Sequence, residues 1–548
     1  MKVWDAVAAI LKREGVEHLC TFPSTPLIDA CAAIGIRPVI CRQERVGVGI
    51  ADGFSRTTGG ERLGVFAMQS GPGAENAYPG VATAYADSSP ILVIPAGFPK
   101  ERAQVFPHYD SRMGYSSITK NFERLTAPEL TMDVMHRAFG LLRSGRPGPV
   151  VVEIPVDVGV TDAGDVSAYR PPQRVISAGN PSDIDAAAAA LMAAKSPVIY
   201  AGQGALYANA SDRLRELAEL LDIPVATTVG GKSVFPEDHP LALGAVGRTM
   251  SGAALQFLKS ADLVFAVGCS LTKGALLSAN VPSGQVLIHS TNDARDINKS
   301  YHVDHPIVGD ARLVLGQMVE AIRDRLGGAG PRTTGSRPEI ASARVRWLEA
   351  WMPTLTSNEV PLSAYRVVWD FVRTVDPDNA IVTHDAGSPR DQLLPFYNAT
   401  RPHGYLGWGK SHQLGSGLGL IMGAKLAEPT KFCVNWMGDA AFGMTGLDLE
   451  TGLRANLPIL TIVLKNSTMA MERNSLTISH DRYASRNLGG EYWEIARALG
   501  AYAERVSLPE DVVPALQRAR VQVEQGRPGL LEFVVSDGIA LSNLNGLG

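Results

Sequence analysis

At 548 residues the chain is too long for one hydrophobic core, and its length suggests three or four domains. Hydrophobic residues make up 45% and charged residues 19%, with a formal net charge of -4: a folded, globular balance with no electrostatic footprint for nucleic acid or an anionic membrane. No window offers about 18 consecutive apolar residues, so no spanning helix and no membrane partner are expected. The opening stretch MKVWDAVAAILKREGVEHL spaces its apolar residues like an amphipathic helix. Asp5, Lys12 and Arg13 break the continuous apolar run that a signal peptide needs. The five cysteines (Cys20, Cys31, Cys41, Cys269, Cys433) are odd in number, scattered and without a CxxC pair. They read as buried thiols of a reducing compartment, and a cytoplasmic protein is expected.

Short β-branched runs then alternate with helix-length segments. RPVIC, LGVFAM, ILVIPA and GPVVVEIP come first, then SPVIYAG, IPVATT, DLVFAVG and VLIHS, and last AIVTHD, KFCVNWMGD, LTIVLKN and GLLEFVVS. Runs of this kind are the buried parallel strands of βα units. The rhythm occurs three times, so the expected fold is α/β, with three doubly wound parallel-sheet domains over 1–168, 180–328 and 361–540. Pro- and Gly-rich joins at YRPPQRVISAGNPS (169–182) and GGAGPRTTGSRPE (327–339) mark the boundaries, the second opening a linker over 329–360.

The stretch VNWMGDAAFG raises a specific question, because an αβ turn explains Gly438 but has no need of Asp439. From Asp439 to Asn466 is 27 residues, the span of one βαβ crossover. Two parallel strands would therefore deliver a carboxylate and an amide oxygen to one carboxyl edge of a sheet, where open α/β folds bind ligands. That donor pair suits a hard cation such as Mg²⁺ shared with phosphate oxygens, and Ala440 and Ala441 open a helix whose free N–H groups can face that phosphate.

Gly-Asp-small-small, followed by Asn at this spacing, resembles the diphosphate–metal signature of thiamine diphosphate enzymes. The resemblance implies Asp439, Asn466 and the Thr468 carbonyl as metal ligands, with Gly438, Ala440 and Ala441 beside the diphosphate. The chain departs from the usual pattern at Ala440, where Gly is common, and at Lys465, where Asn is common. CRQERVGVGIADGFSR resembles the segment whose glutamate meets N1′ of the aminopyrimidine, which assigns to Glu44 the proton relay that activates the cofactor's C2. MQSGPGAENAYPGVATAYADSSP matches the glycine turn in which Pro72, Gly73 and Asn76 pack near the pyrimidine, and KSHQLGSGLGL puts Leu414 where the family has a bulky apolar residue under the cofactor. In THDAGSPR, Gly387 and Ser388 are the expected diphosphate contacts. The first domain is then pyrimidine-binding and the third diphosphate-binding. The cofactor lies between subunits, and a homodimer or homotetramer is expected, with active sites at the interface.

In order along residues 1 to about 540, the chain resembles the acetolactate synthase-like branch. Lys120, in GYSSITKNFERL, falls where that group has a lysine near the substrate, and His108, Tyr109, His412, His480 and Glu491 are further polar candidates. Lys120, His412 and Glu491 join Glu44 as the expected catalytic set. The carboxylate-gripping arginine of acetolactate synthases is missing from GCSLTKGALL, their acceptor-pocket tryptophan has no counterpart in MERNSLTISHDRYASRN, and Phe98 replaces a glutamine. Relatives hold FAD, ADP or nothing in the central domain. Thr291 breaks the Asp-x-Asp of the ribose-contacting strand, so FAD is disfavoured. The expected activity is thiamine diphosphate- and Mg²⁺-dependent making or breaking of a C–C bond beside a carbonyl, on a 2-oxo acid or a 2-hydroxy carbonyl or acyl substrate. A 2-hydroxyacyl-CoA lyase or oxalyl-CoA decarboxylase type and a catalytically lapsed regulatory paralogue are the alternatives.

Overall fold

The structure, a computed structural model, describes residues 1–273 and 281–547. Among these the strands form three six-stranded sheets, and every neighbouring pair is parallel. The first contains β1 (His18–Thr21), β2 (Arg37–Ile40), β3 (Gly64–Met68), β4 (Ile91–Gly97), β5 (Asn121–Arg124) and β6 (Val150–Pro155), in the order β2-β1-β3-β4-β6-β5. The second contains β7 (Pro197–Ala201), β8 (Val225–Thr228), β9 (Ala242–Val246), β10 (Leu263–Val267), β11 (Val286–Thr291) and β12 (His305–Val308), in the order β12-β11-β10-β7-β8-β9. The third contains β13 (Ala380–His384), β14 (Tyr405–Leu406), β15 (Phe432–Gly438), β16 (Leu460–Lys465), β17 (Tyr502–Val506) and β18 (Gly529–Val534), in the order β14-β13-β15-β16-β18-β17. Helices on both faces bury the central strands completely, which is why those strands are continuous apolar runs in the sequence. The opening segment is the amphipathic helix Val3–Arg13, and all five cysteines are free and buried.

The first and third sheets are joined by a helix crossing. Helix Glu44–Thr57 lies along helix Ser416–Ala427, and the two backbones touch through glycines. A Cβ on Gly53 would run into the Leu420 carbonyl, and one on Gly423 into the Ile50 carbonyl. One apolar core therefore holds Cys41, Val46 and Phe66 together with Leu418, Ile421 and Met437. Chain order in the third sheet reverses between β13 and β15, so the crevice of a doubly wound fold opens at their carboxyl ends. Residues 385–388 and 438–440 emerge there.

Candidate active site

At that crevice Gly387, Ser388, Leu414, Gly438, Asp439 and Ala440 line one cavity of about 60 Å³, and Asn466 and Thr468 close it from the end of β16. Asp439 is 4% exposed. Its Oδ1 accepts the Ala440 N–H at 2.8 Å and its Oδ2 the Ser467 N–H at 2.7 Å. Burial pushes its carboxyl up from the usual aspartate range, against the pull of these two bonds and of Lys465. The Asn466 side-chain oxygen accepts the Thr468 N–H at 3.1 Å, and Ser467 between them holds φ +56°, so the chain turns tightly at the cavity edge. Ala441 is fully buried in the shared core and does not line this cavity.

Lys465 takes no part in the cavity. Its amine lies 3.1 Å from Glu491 and 3.7 Å from the fully buried Glu532, and Arg505 pairs with both acids. Glu491 is therefore a member of a four-residue charge cluster behind β16, its carboxyl held below the usual glutamate range first by the hydrogen bond from Lys465. The Lys465 departure from the family pattern has its counterpart in Glu532 on the neighbouring strand β18.

A second constellation forms in the first domain. Glu44 heads its helix, is 5% exposed and accepts a hydrogen bond from the Asn76 side chain. Burial is the main cause that raises its carboxyl pKa. Gly71, at φ +65°, turns the chain into the helix starting at Pro72. A Cβ on Gly73 would stand 2.9 Å from Gln69 and 3.6 Å from the Glu44 Oε1, so glycine keeps open the ground in front of the acid. Glu44, Pro72, Gly73 and Asn76 line no part of the Leu414–Asp439 cavity of their own chain. The link is Arg45, whose guanidinium donates to the Leu414 carbonyl.

The remaining candidates are scattered. Lys120 donates to the Leu141 carbonyl at 2.6 Å and to the Ser144 carbonyl, at the end of helix Thr131–Leu142, and burial lowers its pKa to about 8. His412 has φ +55° on the loop before Leu414, and burial, then Arg390, lower its ring pKa. His108 packs on Phe98 with ring centroids 4.7 Å apart, burial raises the Tyr109 phenol, and the His480 Nδ1 accepts the Arg486 N–H at 3.4 Å. Sequence reasoning passed over Asp385, which is fully buried between the quoted THDAGSPR glycine and β13, and Asp87, whose carboxylate accepts the Gly409 and Lys410 N–H groups at 3.0 and 3.1 Å. A larger cavity of about 640 Å³ lies beside the second sheet, lined by Gln203, Gly204, Thr291, Asp296, Arg146 and Lys410 among others. The GCSLTKGALL segment reaches it through Cys269, Ser270 and Leu271, while its residues 274–277 lie outside the described residues.

Three family models match this chain. Residues 1–117 match the N-terminal TPP binding domain of thiamine pyrophosphate enzymes, 184–318 their central domain, and 385–533 their C-terminal TPP binding domain. The chain is 29% identical to the probable acetolactate synthase large subunit of Methanocaldococcus jannaschii, covering 99% of this chain and 93% of that one. It is 30% identical to the acetolactate synthase isozyme 3 large subunit of Escherichia coli K12, over 97% and 94% of the two chains. To the acetolactate synthase of Arthrospira platensis it is 32% identical, over 91% and 89%. The fold is thus that of a three-domain α/β enzyme. The chain belongs to the thiamine pyrophosphate (thiamine diphosphate) enzyme family, in its acetolactate synthase-like branch.

Proposed function

We propose that this enzyme uses thiamine diphosphate and Mg²⁺ to cleave or form a C–C bond next to a carbonyl, with a 2-oxo acid as donor. The observation that carries the reading is the cavity that Asp439, Asn466 and Thr468 line together with Leu414. A buried carboxylate held only by backbone N–H groups is costly to keep ionised, and a dication on its open side offsets that cost. One carboxylate, one amide oxygen and a main-chain carbonyl, leaving room for diphosphate oxygens, is the hard-oxygen set Mg²⁺ takes. Gly387, Ser388, Gly438 and Ala440 are small enough for the diphosphate to approach the backbone at the same edge.

When bound, thiamine diphosphate would supply a nucleophilic carbon and an electron sink for bond changes beside the carbonyl. Glu44 would hold the proton it shares with N1′ of the pyrimidine, and burial, which raises its carboxyl pKa, favours the protonated form. Leu414, which lines the cavity, would pack against the bound cofactor. His412, neutral at pH 7 on the loop before Leu414, is the group we assign to proton transfer at the substrate. Lys120 and Glu491 would have to leave the carbonyls and ion pairs that hold them before touching substrate. Among the described residues Glu44 does not line the cavity that holds Asp439, which supports a homodimer with the cofactor between subunits. The exposed apolar side chains Met444, Leu447, Ile478 and Tyr483, on segments that follow β15 and β16, and Phe106 and Met113 in the first domain supply surface for that contact. The acceptor is a carbonyl other than a second 2-oxo acid, because the arginine that grips its carboxylate is missing. FAD is not required by this chemistry.

The test is CO₂ release from a panel of 2-oxo acids, with and without aldehyde acceptors, before and after a chelator. Turnover that needs both thiamine diphosphate and Mg²⁺ is expected; turnover that survives removal of both would refute the proposal.

A further inference from the structure

We propose that Asp385 is a positioning residue for the reaction: its carboxylate fixes the loop that carries Leu414, and so sets where the Leu414 side chain stands in the cavity, with Arg45 bracing the same loop from the first domain. The inference rests on the reading that this cavity holds thiamine diphosphate.

Asp385 follows β13 directly and is fully buried. Its Oδ1 accepts the N–H groups of Ala386 and Gly415, both at 2.8 Å, and its Oδ2 accepts that of Gly417 at 2.9 Å. Gly415, at φ +90°, is the residue before helix Ser416–Ala427 and has no side chain with which to cap it. Asp385 provides that cap from another strand, with its negative charge at the positive end of the helix. A Cβ on Gly417 would lie 2.5 Å from the Asn435 side-chain oxygen and 3.1 Å from the Asp385 Oδ2, so the carboxylate and the helix start are in close contact.

The polar groups of the backbone around Leu414 are tied one after another. The Leu414 carbonyl accepts from Arg45, the Gly415 N–H donates to Asp385, the Gly415 carbonyl accepts from Thr445 Oγ1 at 3.1 Å, and the Gly417 N–H donates to Asp385. The backbone on the C-terminal side of Leu414 is so fixed, and with it the point from which the Leu414 side chain lines the cavity it shares with Asp439 and Asn466. The arrangement has a cost: burial pushes the Asp385 carboxyl up to about 6, against the three N–H groups and Arg45. An apolar side chain would avoid that cost but would leave three buried N–H groups without an acceptor. Arg45 stands next to Glu44 at the head of the same helix, so the first-domain acid and the Leu414 loop are set by one rigid crossing.

The experiment compares wild-type holoenzyme with Asp385→Asn, Leu414→Ala and the double variant. The readouts are the dissociation constant for thiamine diphosphate with Mg²⁺, kcat and KM for the best 2-oxo acid, and the exchange rate of the bound cofactor's C2 proton. Amide hydrogen exchange at 415–417 in cofactor-free protein is followed alongside. The asparagine turns an N–H toward a backbone N–H, so the loop loosens while the diphosphate and metal ligands stay in place. We expect affinity and KM to stay within about threefold, while kcat and C2 exchange fall together by about tenfold or more, the scale at which small misplacements act. The 415–417 amides should exchange faster, and the double variant should be no slower than the slower single variant. Wild-type C2 exchange in Asp385→Asn, or losses that multiply in the double variant, would overturn the proposal. Should Asp385→Asn not fold, Arg45→Met carries the same test: C2 exchange falls with KM spared if the brace matters, and wild-type exchange refutes it. A wild type that binds no cofactor would instead remove the reading on which the proposal stands.

Discussion

Glu44 and Asp439 are both buried acids with raised pKa values, yet different partners hold them: an amide side chain for Glu44, two backbone N–H groups for Asp439. Glu44→Gln keeps the shape and removes the transferable proton. Cofactor affinity should persist while kcat falls by about 10²- to 10⁴-fold, the usual worth of a general acid–base group, as a steady-state assay would read. Lys465→Met separates a structural role from a catalytic one. It strips a charge partner from fully buried Glu532 and should cost about 2 kcal/mol in denaturant unfolding. The cofactor constant should change little, because Lys465 points away from the cavity. Asp439 and Asn466 were legible in the sequence because a βαβ crossover fixes their spacing. Asp385, Arg45 and Asp87 were not, because their partners lie some thirty to several hundred residues away and only the fold brings them together.

At the scale of elements, the apolar runs located the buried strands of each sheet but passed over two per sheet. β5, β12 and β17 lie at sheet edges, are mostly half-buried or exposed, and carry polar or charged residues such as Asn121, His305 and Arg505. β9 is an edge strand interrupted by Gly244, and β14 is only two residues long. β1 lies inside its sheet, but its four residues, HLCT, directly follow the first helix and look like its tail. Nothing in the spacing of the glycines of GVGIADGFSR and GLGLIMGAK says that they meet, whereas in the fold they are where two helices touch backbone to backbone. Gly53→Val should therefore destabilise the protein by about 3 kcal/mol, the upper end for overpacking, and disturb the helix that carries Glu44 and Arg45. Urea unfolding together with cofactor titration would measure both consequences.

At the scale of the whole molecule, the family models cover parts of all three sheets, and no helix among the described residues is long and apolar enough to cross a membrane. Burial lowers the pKa of His289, His384 and His403, so these rings are neutral when folded and take up protons more readily when unfolded. The unfolded state then binds more protons below about pH 6.5, and the stability these residues contribute is present above that pH and lost as pH falls, by up to about 1.4 kcal/mol per pH unit for each ring. Asp385, with its carboxyl near 6, acts with the opposite sign below that pH, so the fall should be clearest in melting curves between about pH 7.5 and 6. The central claim is that Asp439 is part of a metal–diphosphate site, and it is tested most directly by melting the wild type and Asp439→Ala with and without thiamine diphosphate plus Mg²⁺. A ligand bound only by the folded state adds about 2.7 kcal/mol at a hundredfold excess over its dissociation constant. The wild type should therefore melt several degrees higher with the pair present and Asp439→Ala should not; equal shifts in both proteins, or none in the wild type, would contradict the assignment.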